Sequence, residues 1–291
     1  MNHKNLIDIG LEAAETPLRR QVKLWARHSN EKADVASELM TAVRHLIRQN
    51  PPERAFRSLS IGSSDEPQFR LLQAISGGGI WLFDADREAL EFVRERVRRQ
   101  MLSGVHLANG DLTIDFSSPE SAQDVRATKL GDAPFDLILL HHVLYYCDSA
   151  IWPDIIEILF QEILRGPGAI HVALMSASSC EPYTTTWLYN HFAKKFYGHH
   201  NNQDLLVLGE VLSSRQAFAK AVISQRTVPS SFWCDDFSIF MAVVWMIMLY
   251  PDGHQYSIEQ RREIVEFVVS EFWLPKHRLK QNQDYLTIIS Q

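Results

Sequence analysis

Cysteine is scarce in this sequence. Among 291 residues there are three, Cys147, Cys180 and Cys234, and no CxxC pair. An odd count without metal-ligand spacing excludes a disulfide framework and a zinc site, and points to free thiols in a reducing compartment. Positive charge is in deficit: 29 Lys+Arg against 35 Asp+Glu leave a net charge of −6. That balance excludes a general nucleic-acid binder, which needs a basic footprint, and leaves open only a local basic groove. Long apolar runs are missing too. The most apolar stretch, Phe237–Tyr250 (FSIFMAVVWMIMLY), is shorter than the ~20 residues of a spanning helix. Asp235, Asp236 and Asp252 bracket it, so it reads as a buried helix. Met1–Arg20 is polar and charged, without the apolar stretch of a secretory leader. The expectation is a soluble, cytoplasmic protein with no membrane partner.

What is present is ordinary globular composition, 46% hydrophobic and 22% charged, enough for a sizeable core. The first 50 residues read as helices. Leu18, Val22, Leu24 and Trp25, then Val35, Leu39, Val43, Leu46 and Ile47, recur at helical spacing, with Asn30 as a cap between the two. Asn50-Pro51-Pro52 ends that region. Strands are expected at 58–62, 80–83, 105–108, 135–140 and 169–175, with helices at 66–76, 87–101 and 152–164 between them. A polar excursion covers 117–133, and Gly166-Pro167-Gly168 reads as a turn. Later come helices around 183–196, 210–221, 237–250 and 258–272, a strand at 222–228 and a closing strand at 285–289. Strands alternating with helices predict an α/β fold, a mostly parallel sheet with helices on both faces. His199-His200-Asn201-Asn202 reads as a solvated loop.

In such sheets ligands sit at the carboxyl ends of the strands, where strand order reverses. Three features fall there in order. The turn Gly62-Ser63-Ser64-Asp65 follows the first strand; glycine permits close backbone approach, and the serines leave room for a ligand. Asp84-Ala85 closes the second strand about 20 residues on, where an acid can bind both ribose hydroxyls. Gly110-Asp111 closes the third, where an acid can accept from an adenine amine. Singly, each also suits an ordinary turn or helix cap. Together they predict a nucleoside-containing cofactor. The turn lacks the second and third glycines of G-x-G-x-x-G and carries Asp65 and Glu66, which would repel a pyrophosphate. A sulfonium and an ammonium suit those carboxylates better, which selects S-adenosyl-L-methionine over a dinucleotide.

The runs LSIGSSDEPQFRLLQAI, FDLILLHHVLYYCDS and IHVALMSASSCEPYTTTWLYNHFAKKF resemble histamine N-methyltransferase and its relatives. His28-Ser29-Asn30-Glu31 is similar to that family's HS-x-E segment, and Asn282 to its asparagine near the C-terminus. The similarity covers nearly the whole chain. It implies a Rossmann-like class I methyltransferase fold: a seven-stranded, mostly parallel sheet plus a smaller helical substrate subdomain. The expected division is 1–50 as an N-terminal helical lid, 51–178 as the cofactor-binding core and 179–291 as the substrate subdomain with closing strands. By resemblance, Glu31, Asn282 and the residue at position 142 contact the substrate amine, with Glu31 and Asn282 in one pocket. Two departures stand out. The family's glycine-rich turn is reduced, and its pocket glutamine is replaced by His142, a titratable ring.

Methyl transfer from a sulfonium needs positioning more than activation, and its amine nucleophile must be neutral. Glu31 could orient a cationic amine, or simply begin a helix. His141 and His142, if extended, face opposite sides. His142 reads as a base or hydrogen-bond partner, and His141 as backbone beside the cofactor. No third well-spaced ligand accompanies them, so no metal is expected. Tyr145 or Tyr146 could face a cation. Trp187, with Tyr183, Phe232 and Trp233, could wall the substrate or pack a core. No pattern of partners makes Cys147 or Cys180 a nucleophile. The expected activity is S-adenosylmethionine-dependent N-methylation of a small amine, imidazole or guanidine compound. One alternative is an aminoalkyl transferase or cyclase, of the type forming azetidine-2-carboxylate, that releases methylthioadenosine. Another is a non-catalytic binding protein of the same frame. A nicotinamide dehydrogenase ranks last, and oligomeric state is not readable.

Overall fold

The computed structural model describes residues 3–51, 53–62, 66–248 and 256–291. Three helices come first: α1 (His3–Glu12), α2 (Leu18–His28) and α3 (Glu31–Gln49). Strand and helix then alternate through β1 (Arg57–Ile61), α4 (Phe69–Ile75), β2 (Gly79–Asp84), α5 (Arg87–Arg99) and β3 (Val105–Asn109). There follow α6 (Leu112–Asp115), α7 (Pro119–Lys129), β4 (Phe135–His141), α8 (Trp152–Ile158) and β5 (Leu164–Met175). The chain ends through α9 (Thr185–Tyr197), α10 (Leu205–Ser214), β6 (Val222–Phe232), α11 (Phe237–Met248), α12 (Ile258–Val268) and β7 (Leu279–Ile289).

The seven strands form one sheet in the order β3-β2-β1-β4-β5-β7-β6. β1 runs parallel to β2 and β4, β2 to β3, and β4 to β5. Strand order therefore reverses between β1 and β4, which makes their carboxyl ends the switch point. Every residue of β4 is buried, as expected of a central strand covered on both faces. One face packs Leu137 and Leu139 with Leu39, Val43 and Leu72. The other packs Ile138 and Leu140 with Trp152, Ile155 and Leu208.

The chain divides into two compact units. The first comprises Met1–Asp34, Met175–Asp204 and Thr227–Gln283; the second comprises Val35–Leu174, Leu205–Arg226 and Asp284–Gln291. The first has its own core, with Trp25, Phe192, Phe240, Val244, Trp245 and Val265 among its buried residues. Its α11 is the expected buried helix: Trp245 Nε1 donates to Gly10 O at 2.7 Å. No helix among the described residues is long and apolar enough to cross a membrane.

Four local readings change. The excursion at 117–133 contains α7, capped by Ser118, whose Oγ accepts from Ser121 N, with Pro119 in the first turn. Too few apolar residues mark that helix; Ala122 and Val125 are the buried ones. Gly166-Pro167-Gly168 lies inside β5, which already pairs at Leu164 with Phe135 before a register shift. β7 starts at Leu279, so Asn282 lies within the last strand and not before it. The early part of β7 is polar, which hid it. The loop at 199–202 is anchored: Asn201 is buried, its N donates to Asn190 Oδ1 at 2.7 Å, and its Oδ1 accepts from Gln203 N at 3.0 Å.

Candidate active site

The chain leaves β1 at Gly62, which has φ +70°. Its N donates to Phe83 O at 2.7 Å, and an added Cβ would overlap Val143 Cγ2 and sit 2.7 Å from Val143 Cβ. Conformation and space both demand glycine. Ser63 and Ser64 lie outside the described residues, as does Asp65. Glu66 does not face outward as the sequence suggested. It is 2% exposed and accepts from Ser60 Oγ and from Gln68 N, so its carboxylate ties the end of β1 to the start of α4.

Asp84 is half-buried at the end of β2, and its Oδ1 accepts from Asp86 N at 2.8 Å. The cap of α5 is Asp86, which accepts from Glu88 N and Ala89 N, so Asp84 is not a helix cap. Ala85 is exposed in the turn between them. Asn109, the last residue of β3, was missed by sequence reasoning. Its Nδ2 donates to Asp84 O at 2.9 Å and Ala85 O at 3.1 Å, while its Oδ1 accepts from Arg87 Nε at 2.8 Å. Its only sequence signal was an amide side chain directly before Gly110. Gly110 has no room for a side chain; a Cβ would lie 2.6 Å from Phe83 Cε2. Asp111 caps α6, its Oδ1 accepting from Thr113 Oγ1, Thr113 N and Ile114 N. The Thr113 hydroxyl is the main reason its carboxyl lies below the usual range.

At the end of β4 the chain is not extended. His142 has φ +55°, an uncommon conformation for a side-chain-bearing residue, and its N donates to Ala173 O at 2.9 Å. Its ring stacks against Tyr145 at 5.8 Å, with Nδ1 3.3 Å from the phenol oxygen. Tyr145 packs against the core, whereas Tyr146 is 64% exposed. His141 turns inward, its Nε2 2.8 Å from His171 Nδ1. Its ring, as well as its backbone, is thus placed at the strand end. Burial pushes the Cys147 thiol up to about 11, far from a thiolate nucleophile.

In the first unit, Glu31 opens α3. Its Oε2 accepts from Trp25 Nε1 and its Oε1 from Gln281 Nε2 at 3.0 Å. Gln281 also donates to Gln283 Oε1 at 3.1 Å. Asn282 makes a different contact, Nδ2 donating to Ser179 Oγ at 3.0 Å. Side chains alternate along a strand, so Gln281 and Gln283 share one face of β7 and Asn282 lies on the other. The structure thus brings Glu31 to Gln281, which also bonds Gln283, while Asn282 meets Ser179. Trp187 is half-buried among Tyr183, His191 and Phe267, with centroids at 5.9, 5.9 and 5.8 Å. Phe232 is fully buried, stacked on Trp25 at 5.6 Å, and so belongs to the core and not to a pocket wall.

No protein-family model and no curated protein matches the sequence. Solved structures do. The chain is similar to a protein provisionally named a methyltransferase from Bacillus halodurans C-125, at 12% identity and TM-score 0.51, over 86% of this chain and 98% of that one. It is also similar to one provisionally named a sarcosine dimethylglycine methyltransferase from Galdieria sulphuraria, at 11% identity and TM-score 0.52, over 90% and 86% of the two chains. At these identities the likeness is one of fold: a seven-stranded, mostly parallel Rossmann-like sheet with flanking helices.

Proposed function

We propose that this protein is an S-adenosyl-L-methionine-dependent methyltransferase acting on a nitrogen of a small amine, imidazole or guanidine compound. The observation that carries the reading is the order of groups at the switch point. A left-handed glycine follows β1, a half-buried acid ends β2, and a glycine without room for a side chain follows β3. That is a backbone cradle beside a ribose-binding acid. The residues present fit the cofactor. Asp84 and Ala85 would hold the ribose end, Gly110 and Asp111 the adenine, and Gly62 with the adjoining turn the amino-acid arm. When bound, the cofactor supplies a methyl group on a sulfonium, already activated for displacement.

The chain's own contribution is to bind, orient and handle one proton. In the first unit, Glu31 keeps its carboxylate oriented by neutral donors, an indole N–H and an amide, which suits it to hold a cationic amine. Trp187 would contribute a ring face to the same substrate class, whereas Asn282, on the other face of β7 and bonded to Ser179, would not share the Glu31 pocket. In the second unit, His142 would accept the proton of the nucleophile, with Tyr145 orienting its ring and the exposed Tyr146 offering a face to a cation.

The test has two steps. Mass spectrometry of the purified full chain identifies any carried nucleoside, and thermal unfolding is followed with S-adenosylmethionine, S-adenosylhomocysteine or NAD. Turnover with a panel of amines, imidazoles and guanidines is then read as nucleoside product. S-adenosylhomocysteine is expected, with loss of turnover in Glu31→Gln and His142→Ala. Methylthioadenosine would assign aminoalkyl chemistry instead. Failure of the first two nucleosides to stabilise the chain would remove the cofactor assignment.

A further inference from the structure

The two histidines His141 and His171 are not needed by the reading above, yet they form a built device. Leu139 pairs with His171 and His141 with Ala173, so the two imidazoles stand on one face of neighbouring parallel strands. Their rings meet at 77° with centroids 5.0 Å apart, and Nε2 of His141 lies 2.8 Å from Nδ1 of His171. A bond of that length holds one hydrogen, so one imidazole donates and the other accepts.

The far nitrogen of each ring decides which. His171 is fully buried, and its Nε2 has no hydrogen-bond partner among the described residues, packed towards the Tyr285 ring. An N–H left without an acceptor in such a place is rarer than a bare lone pair. The proton of His171 therefore belongs on Nδ1, donated to His141 Nε2. His141 must then carry its own proton on Nδ1. Unlike His171, His141 keeps 8% of its surface, and its Nδ1 is not among the buried unpartnered atoms. Burial, with the neighbouring histidines adding to it for His141, holds both rings below the ordinary histidine value, so each carries one proton near neutral pH.

We infer that His141 binds the carboxylate of the cofactor's amino-acid arm through Nδ1–H, and that His171 is the positioning residue that fixes this donor. The inference rests on the S-adenosylmethionine reading. With ribose and adenine assigned to the ends of β2 and β3, the amino-acid arm is left for β1 and its other neighbour, β4. His141 is the last residue of β4. An N–H there recognises a carboxylate and gives nothing to an ammonium or a sulfonium. It also cannot take a proton from the nucleophile, which separates its role from that of His142.

The experiment uses the full chain and two probes, S-adenosylhomocysteine and its analogue lacking the carboxylate. Nitrogen-15 spectra of histidine-labelled protein read the tautomers without any activity. The expected result is Nδ1 protonated on both residues. In calorimetry, His141→Leu and His171→Leu should weaken S-adenosylhomocysteine about tenfold and the analogue hardly at all. His171→Asn, which restores an N–H donor near the same position, should recover the affinity. Equal weakening of both probes, or a bare His141 Nδ1 in the wild-type spectra, would overturn the inference even if the leucine variants misfold. Wild-type protein that binds neither probe would instead refute the cofactor assignment.

Discussion

Glu31 Oε1 and Gln281 Nε2 are 250 positions apart in sequence and 3.0 Å apart in space. The bond ties the first residue of α3 to the buried face of β7, and Trp25 Nε1 completes the arrangement from α2. Glu31→Ala should strand an indole and an amide donor. The expected loss is about 2 kcal/mol of unfolding free energy, because orphaned buried donors cost ~1–3 kcal/mol each. Glu31→Gln keeps an acceptor and should lose less. Urea unfolding of both variants checks this; equal losses would mean that the acceptor atom is irrelevant.

Gly62 offers a cleaner separation of two costs. Gly62→Ala meets both the positive φ and Val143. The conformational part is ~1 kcal/mol, and the overlap adds to it. Val143→Ala in the same chain should relieve the overlap but leave the backbone term. A double-mutant cycle of unfolding free energies should therefore show favourable coupling. Strict additivity would show that Val143 already yields without strain.

The alternation of strand and helix was legible because β2 and β4 are short apolar runs, Gly62 follows β1 and Asp84 ends β2, a pattern with few other readings. The switch-point residues followed from that frame. What stayed hidden depends on hydrogen bonds. Gln281 and Gln283 look like surface residues, yet they are 6% and 1% exposed: Gln281 donates to the Glu31 carboxylate and to the amide oxygen of Gln283. Asn109 reads as a strand-end polar residue until its contacts to Asp84 and Ala85 are seen. The pleat of β7, which separates Gln281 from Asn282, could not be used before the strand was known to start at Leu279.

The buried His141–His171 pair predicts an acid-sensitive fold. Both imidazoles titrate below the ordinary histidine value of ~6.5, chiefly because burial disfavours the cation. Around and below that value the unfolded chain binds more protons than the folded one, so stability falls as pH falls. Above it the contribution is complete and flat. Urea midpoints should drop between pH 7.5 and pH 5, and His171→Leu should reduce that drop by removing one of the two sites. An unchanged drop in the variant would assign the acid sensitivity to other groups.

Asn109 should act on affinity more than on stability. Its amide holds two carbonyls of the Asp84–Ala85 turn and its oxygen holds Arg87, all at the partly exposed rim. Rim hydrogen bonds contribute little to folding, since water replaces them on removal. The same three bonds fix the turn that carries Asp84, the acid proposed to bind the ribose, so losing them loosens its placement. Asn109→Ala should weaken S-adenosylhomocysteine about tenfold in calorimetry, a cost of ~1.4 kcal/mol. The unfolding midpoint should move little. Asp84→Ala should weaken binding further, and the double variant should match Asp84→Ala alone, because a positioning residue has nothing left to position. Full additivity of the two losses would mean that Asn109 contacts the ligand itself.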